Sequence, residues 1–205
     1  SSAASDVYKR QDTVLSHFSY TFEKGFIYGI TAPSGTGKTT LLNLIGNILK
    51  PAQGEIETDF KTGIAYVFQE PELLSQLTIA ENIALPLATY LKKEIAFEQA
   101  ISILQKMELD GFENRFPNEL SFGQQQRAAI ARALTYPSPL LLMDEPFKGL
   151  DEALSRRIIK RIRERQTENG QTILFTTHNP GELRLFADKT VRSVSYTHLT
   201  LPTIR

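Results

Sequence analysis

The stretch Ala32-Pro33-Ser34-Gly35-Thr36-Gly37-Lys38-Thr39-Thr40 decides the fold. The run before it, Phe26–Thr31, is β-branched and aromatic and predicts a buried strand, and Leu41–Ile45 after it predicts a helix. A glycine loop between a strand and a helix N-terminus lets backbone N–H groups converge on phosphate oxygens. The sequence therefore predicts a phosphate-binding loop. A glycine-rich turn with a surface lysine is the alternative that this stretch alone leaves open.

Within the loop, two glycines permit backbone conformations that a residue with a Cβ avoids. We expect Lys38 to reach the β- and γ-phosphates and the Thr39 hydroxyl to ligate Mg²⁺. Ala32 stands where a first glycine is usual, and its methyl is tolerated if φ is negative there. The predicted phosphate-binding residues of this loop are Pro33, Ser34, Gly35, Thr36, Gly37, Lys38, Thr39 and Thr40.

The two ends of the chain share a relation at the level of DNA. Asp6–Gln11 can be encoded by a sequence whose reverse complement, read one frame along, encodes Val194–Leu199. The ends resemble the translated ends of a transposase-type sequencing adapter. We expect adapter-derived tails at 1–11 and 194–205, around an insert at 12–193 that is truncated at both ends.

Composition limits the classes of function. The chain has 205 residues with 23 basic and 23 acidic side chains, so no basic surface is predicted and no nucleic-acid partner is expected. It has no cysteine, which excludes disulfides and thiolate chemistry and fits a reducing cytosol. The sequence shows no apolar run of the roughly 20 residues that span a bilayer, so membrane association is expected only through a partner.

Strand and helix patterns alternate along the rest of the insert. Ile64–Phe68, Leu140–Met143 and Thr172–Thr177 predict buried strands, and helical apolar spacing separates them. The fold class predicted is α/β, a P-loop NTPase core with a mainly parallel sheet. An antiparallel β part is expected near the N-terminus, where a strand turns at Lys24-Gly25, and an inserted helical subdomain is expected at about 72–136.

Polar residues follow three of the predicted strands. Gln69 comes after the Ile64 run, Asp144 and Glu145 end the Leu140 run, and His178 ends the Thr172 run. Because the carboxyl ends of parallel strands meet at one edge of a sheet, these side chains are expected to lie close together. Ser121 is expected to cap the helix at 124–134, and Asp151 the next helix.

Together these residues resemble the ATP-binding subunit of an ABC transporter. The resemblance rests on the Lys38 loop, Gln69, Leu120-Ser121-Phe122-Gly123-Gln124, the Leu140–Glu145 run, Gly149-Leu150-Asp151 and His178, in this order. It covers nearly all of the insert. Gln69-Glu70-Pro71, Ala80-Glu81-Asn82 and the run 144–151 are nearest to importers of the nitrate, sulfonate and taurine type.

The resemblance implies ATP and Mg²⁺ as cofactors and assigns roles in ATP hydrolysis. Glu145 would polarise the attacking water, His178 would contact the γ-phosphate, and Gln69 would complete the catalytic set. The metal would be organised by Thr39, Gln69 and Asp144. Ser121, Gly123 and Gln124 would bind the ATP held by a second chain. Phe122 departs from the family pattern, which has glycine there, so its ring must point away from the nucleotide.

The partners implied are a second copy of the chain and transmembrane permease subunits. The permease would be gripped by the region 77–82, which places the chain in the cytoplasm at the inner face of the cell membrane. Import of a small solute is the function expected. An ABC ATPase of a lipoprotein or drug exporter, a non-transport ABC ATPase and a degenerate regulatory module remain as alternatives.

Overall fold

The computed structural model describes residues 19–33, 35–58 and 63–192, together with the backbone of a short strand, Thr203–Ile204. The predicted tail at 1–11 lies outside the described residues, as does the tail at 194–205 apart from that strand. Ser34 of the phosphate-binding loop also lies outside them.

Strands and helices alternate as the sequence predicts. The strands are β1 (Ile27–Thr31), β2 (Glu57–Thr58), β3 (Ala65–Val67), β4 (Leu140–Asp144), β5 (Thr172–Thr176), β6 (Lys189–Arg192) and β7 (Thr203–Ile204). The helices are α1 (Lys38–Ile45), α2 (Ile79–Ala84), α3 (Lys93–Lys106), α4 (Phe122–Thr135), α5 (Glu152–Asn169) and α6 (Pro180–Phe186). Short 3₁₀ turns lie at Leu87–Thr89 and Pro117–Glu119.

The main sheet has five strands in the order β3-β4-β5-β1-β6, and every pair in it is parallel. The prediction of a mainly parallel α/β sheet is therefore confirmed. β2 and β7 form a separate parallel pair. The predicted turn at Lys24-Gly25 is present, with Gly25 at φ 80°. Residues 19–23 form no strand, and the rest of the predicted antiparallel part lies outside the described residues.

Both faces of the sheet are buried, because neighbouring side chains on a strand point to opposite faces. One apolar cluster contains Ile27, Leu141, Met143, Ile173 and Phe175, packed with residues of α2 to α6. The other contains Tyr28, Ile30, Leu140, Leu142 and Leu174, packed with α1. Because both faces of the sheet are covered, the candidate site lies in the loops at the carboxyl edge of the sheet.

Residues 72–136 hold only helices and turns among the regular elements. α2 packs on α3 and α4, and α3 packs on α4. α2 begins with a capping box in which the Thr78 hydroxyl accepts from the Glu81 N–H and the Glu81 carboxylate accepts from the Thr78 N–H. This helical segment matches the position of the predicted subdomain, and the division of the chain into domains stays a prediction.

Candidate active site

The phosphate-binding loop has the backbone that its glycines predict. Gly35 lies at φ 78° and Gly37 at φ 89°, both in the left-handed region that favours glycine. Gly37 is the N-cap of α1, so the first N–H groups of that helix point into the loop. Ala32 is not among the described residues with positive φ, and its methyl is therefore compatible with the loop.

The Lys38 side chain forms hydrogen bonds with the backbone of the phosphate-binding loop. Its Nζ donates to the carbonyl oxygens of Ala32 at 2.8 Å and Pro33 at 3.1 Å, and the side chain is nearly buried. The Thr36 hydroxyl donates to the Pro33 carbonyl as well, at 2.7 Å. The ammonium group thus lies beside the glycine loop, where it can reorient to bind an anion.

Asp144 lies at the end of β4 and uses both carboxylate oxygens. The Thr39 hydroxyl donates to Oδ2 at 2.6 Å, and the Thr176 hydroxyl on β5 donates to Oδ1 at 2.5 Å. The register pairs Asp144 with Thr176 directly across the two strands. Asp144 is 2% exposed. Burial, and to a lesser extent the charge of Asp144, raise the pKa of nearby Tyr66 well above its usual range.

Glu145 follows Asp144 in a strained conformation, with φ at 45°, which is uncommon for a residue that carries a Cβ. Its N–H donates to the Thr176 hydroxyl at 3.0 Å. The same hydroxyl therefore fixes the Asp144 carboxylate and the Glu145 backbone. Lys148 N–H donates to the Glu145 carbonyl at 3.1 Å, which closes the turn after the strand.

The structure brings His178 to Glu145 and places Gln69 at the same edge. His178 Nδ1 lies 3.4 Å from Glu145 Oε1, and the imidazole is 71% exposed. β3 pairs with β4 through Val67 and Met143, so half-buried Gln69, two residues after β3, lies at the same edge of the sheet as Glu145. Four polar residues predicted from three strand ends thus gather at one edge of the sheet.

The oxygen atoms of Thr39 and Asp144 fit Mg²⁺, which prefers hard oxygen ligands and keeps waters or ligand phosphates in its shell. No group of three or more His, Cys, Asp or Glu side chains gathers as a metal cluster in the described part of the chain. A magnesium ion at this edge would therefore take its remaining oxygens from phosphates and water.

The predicted second half-site lies at the start of α4. Ser121 is the N-cap of α4, as predicted, in a capping box with Gln124: Gln124 Oε1 accepts from the Ser121 N–H at 2.8 Å. No hydrogen bond or ion pair between described residues joins Ser121, Gly123 or Gln124 to the loop 32–40. Among the residues that the structure describes, the two half-sites of one chain therefore make no direct polar contact.

The Phe122 ring packs against the loop that follows Glu145. A Cβ on Gly149 would lie 2.7 Å from Phe122 Cδ1, and Gly149 sits at φ 79°. A Cβ on Gly123 would lie 2.7 Å from the Gly149 carbonyl oxygen. Lys148 Nζ lies 5.7 Å from the centre of the Phe122 ring and 3.5 Å from Glu70 Oε1. The ring is thus directed at its own chain's loop, and the expectation that it points away from the nucleotide stays a prediction.

Comparison with known proteins decides the family. A model of the ABC transporter family matches residues 15–148. Thiamine import ATP-binding proteins ThiQ of Shigella flexneri serotype 5b and Escherichia coli O157:H7 are each 38% identical over 184 residues, which covers 85% of this chain and 79% of the relative.

The chain belongs to the ABC transporter family. The solved structure of a dimeric post-hydrolysis state of the ATP-binding cassette MJ0796 bound to ADP and Pi is similar, with a TM-score of 0.76 and 35% identity over 82% of this chain and 81% of that one. A second dimeric MJ0796 structure matches at 34% identity and the same TM-score.

The ABC membership makes the chain an ATP-binding and ATP-hydrolysing subunit, as predicted. The relatives are named for thiamine import, so the narrower prediction of a nitrate, sulfonate or taurine type is not supported. No helix in the described ranges has the length and apolar character needed to cross a membrane.

Sequence reasoning missed one residue of this candidate site, Thr176. Its hydroxyl is fully buried and joins Asp144 to Glu145. The available signal was a hydroxyl residue at the end of an apolar strand, two positions before His178. Its meaning depends on β5 being the neighbour of β4, and that strand order is a property of the folded sheet.

Proposed function

We propose that the chain binds MgATP at the loop 32–40 and hydrolyses it at the carboxyl edge of the sheet, to energise import of a small solute through permease subunits. The observation that carries the proposal is the network in which Thr176 joins Asp144 to Glu145 while Thr39 joins Asp144 to α1. It connects the phosphate-binding helix to the candidate base.

The N–H groups at the start of α1 and the Lys38 ammonium would bind the phosphates. Lys38 can leave its two carbonyl partners for phosphate oxygens, which are stronger acceptors because they are charged. Thr39 and Asp144 would hold Mg²⁺, with Gln69 close by on the neighbouring loop. The metal supplies neutralisation of charge that develops on the phosphates during transfer.

Glu145 would accept a proton from the attacking water, or orient it, from the strained turn after β4. His178, 3.4 Å from the Glu145 carboxylate and exposed, would contact the γ-phosphate from the same edge. The turn at Glu145, with its N–H bonded to Thr176, would keep the base in one position relative to Asp144 and so help to orient the attacking water.

A second copy would complete the site. Ser121, Gly123 and Gln124 sit at a helix N-terminus and make no polar contact with the described residues of the chain's own phosphate loop, which supports binding to the ATP of a partner chain. The solved MJ0796 cassettes are dimeric. A permease would bind near 77–82, and contact with the membrane would be through it.

The test of hydrolysis is Glu145→Gln in the full chain. We expect ATP binding to persist, hydrolysis to fall at least a hundredfold, and an ATP-dependent dimer to accumulate on gel filtration, because closure is no longer reset. Glu98→Gln, on the exposed side of α3, is the control and should behave as the wild type. Hydrolysis by Glu145→Gln at the wild-type rate would contradict the assignment.

The relatives named for thiamine import support a small organic solute as cargo. The direct test begins by identifying a permease and a binding protein among the genes next to this one, and then assembles them with the chain in liposomes. Stimulation of ATP hydrolysis by the loaded binding protein would support import. Stimulation by a solute supplied on the ATPase side would support export.

A further inference from the structure

Gln126 on α4 carries an amide that the proposed reaction does not use. The residue is fully buried, and neither Oε1 nor Nε2 has a hydrogen-bond partner among the residues that the structure describes. Buried polar side chains are nearly always paired, because an unpaired one loses its hydration without compensation. Asn82, also fully buried, shows the usual case, with bonds from both ends of its amide.

The position of Gln126 on its helix follows from its neighbours. Gly123, one turn earlier, faces the Gly149 carbonyl, and Arg132 reaches the Pro71 carbonyl at 3.4 Å on another side of the helix. At about 100° per residue these two directions are opposite, and Gln126 projects from one of the two arcs between them, away from the arc whose side chains bond to α2 and to the end of α3. Its side chain also slants towards the helix N-terminus, where the loop after β4 contacts Gly123.

The two loops on either side of this arc carry the candidate catalytic residues. The loop after β4 runs from Glu145 to Leu150, and the loop after β3 contains Gln69. The ion pair between Lys148 and Glu70, at 3.5 Å, joins the two loops at the surface. Gln126 is therefore a buried amide on the side of α4 that lies between its contacts with the two loops.

We propose that Gln126 is a positioning residue whose amide forms hydrogen bonds with backbone groups of these two loops when MgATP fills the site. A bond present only in the nucleotide-bound form shifts the population towards that form, because it stabilises one state and not the other. These hydrogen bonds would then hold Glu145 and Gln69 in fixed positions relative to each other. The inference rests on the proposed function and adds a residue that touches neither nucleotide nor metal.

The experiment compares Gln126→Met with Gln166→Met in the full chain, with and without MgATP. Methionine keeps the length of the side chain and removes the amide. Gln166 is also buried, but its Nε2 donates to the carbonyls of Gly25 at 2.7 Å and Gln171 at 3.0 Å, away from the candidate site. It is a matched control with a satisfied amide.

Without nucleotide, Gln126→Met should raise Tm by about 2–6 °C, since it removes an unpaired buried amide, while Gln166→Met should lower it. MgATP should raise the Tm of Gln126→Met by less than it raises the Tm of the wild type. Gln126→Met should also hydrolyse ATP with a kcat about tenfold lower than that of the wild type and a KM within about threefold of it. This is the loss expected for one or two hydrogen bonds that form only in the nucleotide-bound form. Gln166→Met should keep the wild-type kcat.

A lower Tm or a failure to fold for Gln126→Met would show that the amide is already bonded without nucleotide, and would overturn the inference. A raised Tm with an unchanged kcat would overturn the inference too, since the amide would then be an unpaired buried group that has no effect on hydrolysis. If the wild type hydrolyses no ATP, the proposed function fails, and the inference is judged by the ATP-induced gain in Tm, which Gln126→Met must reduce.

Discussion

The Thr176 hydroxyl donates to Asp144 Oδ1 and accepts from the Glu145 N–H, so one side chain on β5 orients two consecutive acids on β4. The register places Thr176 directly opposite Asp144. The hydroxyl is well suited to this position because it is both donor and acceptor. A carboxylate and an N–H could not be joined by a side chain that only donates or only accepts.

Replacing Thr176 by valine, which keeps the shape and removes the hydroxyl, should lower kcat for ATP at least tenfold. Asp144 would lose one of its two donors, and the buried Glu145 N–H would lose its acceptor. The free energy of unfolding should fall by about 1–3 kcal/mol. Steady-state ATPase assays and urea unfolding measure the two effects.

Thr172→Val is the matched control for this change. Thr172 lies on the same strand, is 1% exposed, and its hydroxyl accepts from the Gly25 N–H at 3.0 Å. It should lose comparable stability and keep its activity. Equal loss of activity in both variants would mean that β5 acts through stability alone.

Much of this site could be predicted because its chemistry is local in sequence. The loop 32–40 and the acids after Leu140 each carry their signal within a few residues. The role of Thr176 and the contact of Phe122 with Gly149 could not be predicted, since each joins segments about 30 residues apart whose distance depends on strand order and helix docking. The positive φ of Glu145 likewise results from the turn that those contacts impose.

Gly149→Ala should destabilise the contact between α4 and the loop after β4. The residue sits at φ 79°, which costs a residue with a Cβ about 1–2 kcal/mol, and the new Cβ would also meet the Phe122 ring at 2.7 Å. Gly111→Ala is the control, because Gly111 has φ 80° and open space around its Cβ. Urea unfolding should show a larger loss for Gly149→Ala.

A second substitution separates the two causes of the loss of stability in Gly149→Ala, the positive φ and the collision with Phe122. Phe122→Gly in the Gly149→Ala background should recover the part due to the collision and leave the part due to φ. An equal loss in Gly111→Ala and Gly149→Ala would contradict the interpretation that Phe122 packs tightly on Gly149 in solution.

Asn82→Ala should loosen the segment between Gln69 and α2. The amide accepts from the Leu74 N–H and donates to the carbonyls of Leu74, Leu77 and Thr78, at 2.8–3.1 Å. Losing these buried bonds should cost about 2–4 kcal/mol. Amide hydrogen exchange should accelerate at 74–78, the edge of the proposed permease contact.

Thr78→Ala provides the comparison, since it removes only an exposed helix cap worth about 1 kcal/mol. It should speed exchange in the first turn of α2 and leave the Leu74 N–H protected. Protection of Leu74 in Asn82→Ala would contradict the view that the amide fixes this loop.

Glu108→Gln should lower stability at neutral pH and have no effect in acid. The carboxylate at the end of α3 accepts from Arg157 Nε at 2.8 Å and Nη2 at 3.0 Å, and Arg161 lies 3.2 Å away. The hydrogen bond from Arg157 lowers the pKa of Glu108. A lowered pKa in the folded state means that the stabilisation is complete above the unfolded pKa, about 4.3, and is lost as pH falls through the folded value.

The expected Tm gap between wild type and Glu108→Gln is about 2 °C at pH 7, since an exposed pair contributes little, and it should shrink in 1 M salt. The gap should close on titration from pH 5 downwards, while Glu98→Gln stays level with the wild type. A gap that does not change with pH would mean that Glu108 acts by packing at the end of α3. Its charge would then contribute nothing to the attachment of α3 to α5.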